Sequence, residues 1–168
     1  MNESQFVKHE ISPVYDETSR ILILGSFPSV KSRENKFFYG HPQNRFWKVL
    51  AQLLEEPLPL TIEEKKSLLL SHHIALWDVV DSCEITGSSD SSIRNVTPSD
   101  LTRITTASPI RHIYTNGGTA DKLYCKYCFP MTQMAAIRLP STSPANAAWS
   151  LERLLGEWRV ILPDLVIE

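Results

Sequence analysis

Arg20-Ile21-Leu22-Ile23-Leu24-Gly25 is a short apolar run entered by a cation and stopped by glycine. A strand with one wet face alternates apolar and polar side chains. An uninterrupted apolar run ending at a breaker instead suits a strand buried on both faces, as in a parallel sheet. Downstream, Phe46, Val49, Leu50, Leu53 and Leu54 recur at helical spacing between Arg45 and Glu55, and Pro57 and Pro59 end that helix. Thr61 with Glu64 forms a capping box that opens a helix to about His72. A second buried strand follows, Ile74-Ala75-Leu76-Trp77-Asp78-Val79-Val80. A short helix is expected over Pro98–Ala107, capped by Ser99 or Thr97. Arg111–Thr115 reads as a third strand, turned by Gly117-Gly118 into a helix to about Phe129, and Met134–Leu139 as a fourth strand. Ser143-Pro144 then opens a last helix, serine as N-cap and proline at the first helical position. Strands alternating with helices imply an α/β fold of three layers, α/β/α, around a central, mainly parallel four-stranded sheet.

The chain has 168 residues, enough for one domain (1–168) and too few for two ordinary ones. With 42% hydrophobic and 21% charged residues it reads as globular, and no apolar run approaches the roughly 18 residues that span a bilayer. Met1–Glu10 is polar and unlike a secretion signal, so a cytoplasmic location is expected. Three cysteines form no disulfide framework. Cys125 and Cys128 form a C-x-x-C pair, but a zinc or iron–sulfur site needs about four ligands, so helix packing is the expected role and no metal is. A net charge of −2 argues against coating DNA by bulk electrostatics. Between Val30 and Lys48, however, Lys31, Arg33, Lys36, Arg45 and Lys48 face only Glu34, and aromatic rings lie among them. Cations interleaved with aromatics favour a nucleic-acid partner.

Ligands of such sheets sit at the carboxyl ends of the strands. That rim comprises Gly25–Ser29, Asp78–Ser82, Asn116–Thr119 and Pro140–Asn146. Gly25-Ser26-Phe27-Pro28-Ser29 is neither a dinucleotide fingerprint nor a P-loop, since the glycine spacing and the lysine are missing. Phe37-Phe38-Tyr39-Gly40 puts three rings in a loop flanked by cations. Asn44, directly before a helix, suits an N-cap. Ser88–Arg94 is a polar loop on the same rim, open to solvent or to phosphate. No histidine shows metal spacing, and His41 alone falls near the candidate site.

Gly40-His41-Pro42-Gln43-Asn44-Arg45-Phe46-Trp47-Lys48-Val49 resembles the P-x-N-R-F-W-K-V block of the mismatch-specific uracil/thymine-DNA glycosylases. Together with Gly-Ser-Phe-Pro and Leu139-Pro140-Ser141-Thr142-Ser143-Pro144-Ala145-Asn146-Ala147, the chain resembles the DNA-deoxyinosine (hypoxanthine) glycosylase branch of the uracil-DNA glycosylase superfamily over about Arg20–Leu155. The resemblance implies base-excision repair of deaminated bases in DNA, by a monomer with no metal or organic cofactor. It implies Asn44 as the catalytic amide and Tyr39 as the ring on which the extruded base stacks. Asp78 matches the position that reads the base edge, with Ser26 and Phe27 beside it. Ser141 matches a position that is histidine or asparagine in many members. Ser143, Pro144, Ala145 and Asn146 match the loop entering the minor groove, and Arg45 is a further DNA contact. Phe27 replaces the water-positioning asparagine of the mismatch-specific enzymes. That substitution leaves two other expectations open: a mismatch-specific uracil or thymine glycosylase, and a catalytically silent DNA- or nucleotide-binding module. Phe46 and Trp47 are expected to anchor their helix in the core.

Overall fold

The computed structural model describes residues 3–166. The apolar run forms β2 (Ile21–Gly25), with Ile21, Leu22, Ile23 and Leu24 wholly removed from solvent. It is central in a parallel sheet of four strands ordered β3-β2-β6-β7, where β3 is Ile74–Asp78, β6 His112–Asn116 and β7 Ala136–Leu139. Leu24 pairs with Trp77 on one side and Thr115 on the other, so Gly25, Asp78 and Asn116 end their strands at nearly one level. The expected α/β architecture with a four-stranded parallel sheet is therefore present.

The helices follow from right-handed crossovers between parallel strands. From β2 the chain runs through α1 (Val30–Asn35), α2 (Phe46–Leu53) and α3 (Ile62–Ser71) before reaching β3. It then crosses back past β2 through α4 (Thr102–Thr105) to β6, and through α5 (Gly118–Leu123) and α6 (Phe129–Thr132) to β7. The two directions of travel put α1–α3 on one face and α4–α6 on the other. The contacts agree: α4 meets α6, while α7 (Leu151–Trp158), reached after β7, returns to pack on α2. Thr61 and Glu64 form the reciprocal capping box at α3. Among the described residues no helix is long and apolar enough to cross a membrane.

A second sheet has no counterpart in the expected fold. β1 (Gln5–Lys8), β4 (Val80–Ile85) and β5 (Arg94–Pro98) form an antiparallel sheet ordered β1-β4-β5. The single expected strand Ile74–Val80 is two: β3 stops at Asp78, and the chain passes into the second sheet at Val79, whose amide donates to the Gly25 carbonyl (2.8 Å). Asp78 thus stands at the seam between the sheets.

Other boundaries move for local reasons. The expected Pro98–Ala107 helix shrinks to α4, because Pro98 still belongs to β5 and the side chain of Asp100, rather than Ser99 or Thr97, accepts from the Thr102 amide. Between α5 and α6 the helix widens into a π turn over Tyr124–Cys128. The wider turn separates positions three apart, leaving Cys125 exposed and Cys128 buried, so the two thiols do not share a packing face. The last helix does not start at Ser143. Ser143 accepts from the Ala145 amide (3.1 Å) but caps only a single 3₁₀ turn, Pro144–Asn146, and α7 begins later, capped by Ser150.

Candidate active site

A cavity of about 360 Å³ opens at the carboxyl ends of β2, β3 and β6. Its walls bring together Ser26, Phe27, Tyr39, Asn44, Asp78, Ser141, Ser143, Pro144 and Ala145 from four separate segments of the sequence. Its volume lies within the range of about 300–1,000 Å³ usual for small-molecule pockets.

The aromatic loop is built from α1 outward. Buried Ser32 accepts the Gly40 amide at its hydroxyl (2.9 Å) and the Phe37 amide at its carbonyl (3.2 Å), closing the loop onto the helix. Phe37 and Phe38 are buried, and Trp47 donates its indole N–H to the Phe38 carbonyl (3.1 Å). Phe46 is fully buried beside it, so both residues anchor α2. Tyr39 sits at φ +53°, a left-handed conformation uncommon outside glycine. Its ring stacks on Phe46 with centroids 4.1 Å apart and planes 19° from parallel. The ring also lines the cavity, and its hydroxyl is buried with no partner at hydrogen-bond geometry among the described residues. Burial, and then the nearby Asp78 charge, raise the Tyr39 phenol well above its ordinary range, so it stays protonated and can donate.

Asn44 has a defined orientation. Its Oδ1 accepts from the Phe46 amide (2.9 Å) and from the Thr142 hydroxyl (2.9 Å). The N-cap of α2 is Arg45 rather than Asn44 as expected, and the first bond satisfies the Phe46 amide from one position further out. The second comes from a fully buried threonine that sequence reasoning quoted within its motif but gave no role. Thr142 is itself held by Asn116, which donates Nδ2 to the Thr142 hydroxyl (3.0 Å) and accepts the Thr142 amide at Oδ1 (3.0 Å). With the oxygen engaged twice, the group that Asn44 offers the cavity is its Nδ2 donor.

Asp78 is 3% exposed, and its Oδ2 accepts from His9 Nε2 at 2.8 Å. His9 Nδ1 accepts from the Ile11 amide (3.1 Å), so the ring proton lies on Nε2 and is donated to Asp78. His9 is therefore part of the site, contrary to the expectation that only His41 lies near it. It arrives from the chain just after β1, paired beside β4, and edges against Phe27 (centroids 5.9 Å apart). Asp78 Oδ1 and the Tyr39 hydroxyl both lie over the backbone of Gly25. A Cβ there would overlap Asp78 Oδ1 and come within 2.9 Å of the Tyr39 oxygen. Gly25→Ala is thus expected to cost about 1–3 kcal/mol, as overpacking does. Urea denaturation checks this, and wild-type stability would remove the close approach from the account.

The remaining candidates divide. Ser26 and Phe27 line the cavity, and Ser26 donates its hydroxyl to Asp90 Oδ1 (2.9 Å). Asp90, in the loop left open between solvent and phosphate, is a cavity residue that sequence reasoning did not single out. The Ser141 hydroxyl accepts from the Ser143 amide (3.1 Å), and Asn146 donates its side-chain amide to the Ser141 carbonyl (2.9 Å). These bonds turn the 141–146 segment back on itself. Arg45 does not point free toward a phosphate. Its guanidinium donates to the carbonyls of Asn146 (3.0 Å), Ser143 (3.4 Å) and Trp149, fastening that segment to the start of α2.

Known proteins resemble this chain in sequence and fold. The family model described as the uracil DNA glycosylase superfamily matches residues 12–164. A protein of Methanosarcina acetivorans named hypoxanthine DNA glycosylase is 35% identical over 157 residues, covering 92% of this chain and 98% of the relative. A protein of the same name from Methanosarcina barkeri is 36% identical over 89 residues, 52% of this chain and 56% of the relative. The solution NMR structure of a Methanosarcina acetivorans protein described as a candidate uracil DNA glycosylase superposes with a TM-score of 0.81 at 32% identity, covering 96% of this chain and 99% of the other. The chain belongs to the uracil DNA glycosylase superfamily.

Proposed function

We propose that this protein is a monofunctional glycosylase that hydrolyses the N-glycosidic bond of deoxyinosine in DNA, releasing hypoxanthine. The observation that carries this reading is the acceptor at the cavity floor. His9 donates to one oxygen of Asp78, which holds the carboxylate beside the buried Tyr39 hydroxyl. Hypoxanthine presents an N1–H donor next to its O6, and a buried carboxylate is the acceptor that the N1–H needs. The names of the two relatives support the same base.

Extruding a nucleotide costs a few kcal/mol, which the pocket must return. The Tyr39 face away from Phe46 offers stacking worth roughly 1–3 kcal/mol. Asn44, fixed by Phe46 and Thr142, directs its Nδ2 donor to the reacting centre, where it can hold the attacking water by its oxygen or steady the departing base. An amide is a poor proton acceptor, so its contribution is positional and electrostatic. Ser141, Ser143, Pro144, Ala145 and Asn146 form the lip that meets the emptied strand, and Arg45 keeps that lip in place. The free thiols of Cys83, Cys125 and Cys128 suit a reducing, cytoplasmic setting.

The test uses duplex oligonucleotides carrying deoxyinosine, deoxyuridine or a G·T mismatch, followed by alkaline cleavage of abasic sites. Cleavage of the deoxyinosine strand is expected to dominate. Cleavage of deoxyuridine or G·T strands in preference would assign the mismatch-specific activity instead. No cleavage of any strand would leave a silent DNA-binding module.

A further inference from the structure

The hydrolysis proposed above needs an acceptor for the proton of the attacking water, and the cavity is nearly without one. Phe27 is apolar, Asn44 Oδ1 already accepts two hydrogen bonds, and the acceptor nitrogen of His41, Nδ1, is taken by the Gln43 amide (3.1 Å). Both ends of the Asn116 carboxamide are held by Thr142. Asp78 is fixed by His9 at the floor, where a base edge would lie. Among the described residues one other carboxylate lines the cavity, that of Asp90.

We propose that Asp90 is the residue that orients the attacking water and takes its proton. This rests on the glycosylase reading and assigns to it a side chain that the sequence motifs leave out. Asp90 belongs to a 3₁₀ turn, Asp90–Ser92, between β4 and β5. It borders both the base cavity and the adjoining groove lined by Arg138, Ser141 and Trp149. It therefore stands at the boundary between cavity and groove, where the sugar of a nucleotide whose base fills the cavity would lie. The loop is firmly seated: Val30 donates its amide to the Ser88 hydroxyl (2.8 Å), Arg33 donates to the Gly87 carbonyl (2.6 Å), and Thr86 donates its amide to the Ser92 hydroxyl (2.8 Å). Ser26 aims the carboxylate by donating to Oδ1 (2.9 Å), which leaves Oδ2 for water.

In the step itself the water oxygen bonds to C1′ as the C1′–N9 bond breaks. The bonding pair leaves with hypoxanthine, the water proton passes to Asp90, and the departing base is protonated by solvent. Asp90 is exposed overall but lines the cavity, and desolvation there acts on its carboxyl. That desolvation raises its pKa, the Ser26 bond opposes the rise, and Asp78 adds to it. Tyr39, another lining residue, and Cys83 on β4 also feel the Asp90 charge. Arg33 is bonded to Gly87 in the same loop, and His41 also lines the cavity. A raised carboxyl pKa means the base form is lost as pH falls, giving excision an acid limb.

The test is single-turnover excision from a deoxyinosine duplex across the acid-to-neutral range, for wild type, Asp90→Asn and Ser26→Ala, with duplex affinity measured alongside. Asp90→Asn is expected to slow excision about 100-fold or more, the usual scale of a general base, and to flatten the acid limb. Affinity should hold or tighten, since a negative charge leaves a DNA-facing mouth. Ser26→Ala should move the acid limb to higher pH, because the bond that lowers the carboxyl's pKa is gone; a merely structural serine would not move it. A wild-type rate in Asp90→Asn, an acid limb that survives it, or a loss confined to affinity overturns the assignment while the glycosylase reading stands. A wild-type protein that releases no base from deoxyinosine overturns both.

Discussion

Asn44→Ala should lower single-turnover excision from deoxyinosine duplex by about 10²–10³, the cost of removing one preorganised donor, while the protein remains folded. The side chain has two separable duties. Its Oδ1 satisfies the first free amide of α2, that of Phe46, a contact of the kind worth about 0.5–2 kcal/mol at a helix start. At roughly 2–4 °C per kcal/mol for a chain of this size, thermal unfolding should fall by a few degrees. Its Nδ2 takes no part in that contact and is the donor left for the cavity that Asn44 lines. Asn44→Asp separates the two, because a carboxylate still accepts from Phe46 and Thr142 but has no donor to offer. Asn44→Asp is therefore expected to be nearly as inactive as Asn44→Ala and closer to wild type in unfolding temperature. Normal excision by the folded fraction of both variants would reduce Asn44 to a cap.

The second large effect is expected at Asp78. In Asp78→Asn the His9 Nε2–H still needs an acceptor and will take the amide oxygen, since Nδ1 of the same ring is occupied by the Ile11 amide. The new NH₂ then faces the base. Against the N1–H of hypoxanthine this sets donor against donor in a buried pocket, at a cost of about 1–3 kcal/mol for groups left unpaired, or some 5- to 150-fold in kcat/KM for deoxyinosine. Steady-state kinetics on matched oligonucleotides measures it. Unchanged kcat/KM would mean that Asp78 does not meet the base edge. The variant's core packing changes little, so a large fall in stability with normal kcat/KM would recast the His9–Asp78 pair as structural.

The parallel sheet was legible because β2 and β3 carry uninterrupted apolar runs and end in residues that cannot continue them inward. The antiparallel sheet was not. β1 is a short edge with Gln5, Phe6 and Lys8 exposed, and β5 contains a proline, so neither shows the alternation that marks a half-buried strand. That loss hid His9, which meets Asp78 from 69 positions away and has no local pattern to announce it. Asn44 and Tyr39 were visible through their motif, and Asn44 also through its place before a helix. Thr142 stayed silent because its value lies in a tertiary bond to Asn44. Asp90 sat in a serine-rich loop whose composition says only that it is polar. Arg45 was legible as a cation in a DNA-facing block, but its guanidinium meets three carbonyls that only the fold brings near. Ser143-Pro144 has the composition of a helix start. The chain turns once and stops there, because Asn146 folds back onto the Ser141 carbonyl.

The most direct measurement is a crystal structure of the Asn44→Ala protein bound to a duplex with one deoxyinosine, a variant expected to bind the lesion and cut it slowly. The expected result is hypoxanthine outside the helix, its ring stacked on Tyr39 opposite Phe46, N1–H within hydrogen-bond distance of Asp78 and C1′ at the mouth beside Asp90. Inosine still stacked within the duplex, or a flipped base lodged away from Tyr39 and Asp78, would contradict the account.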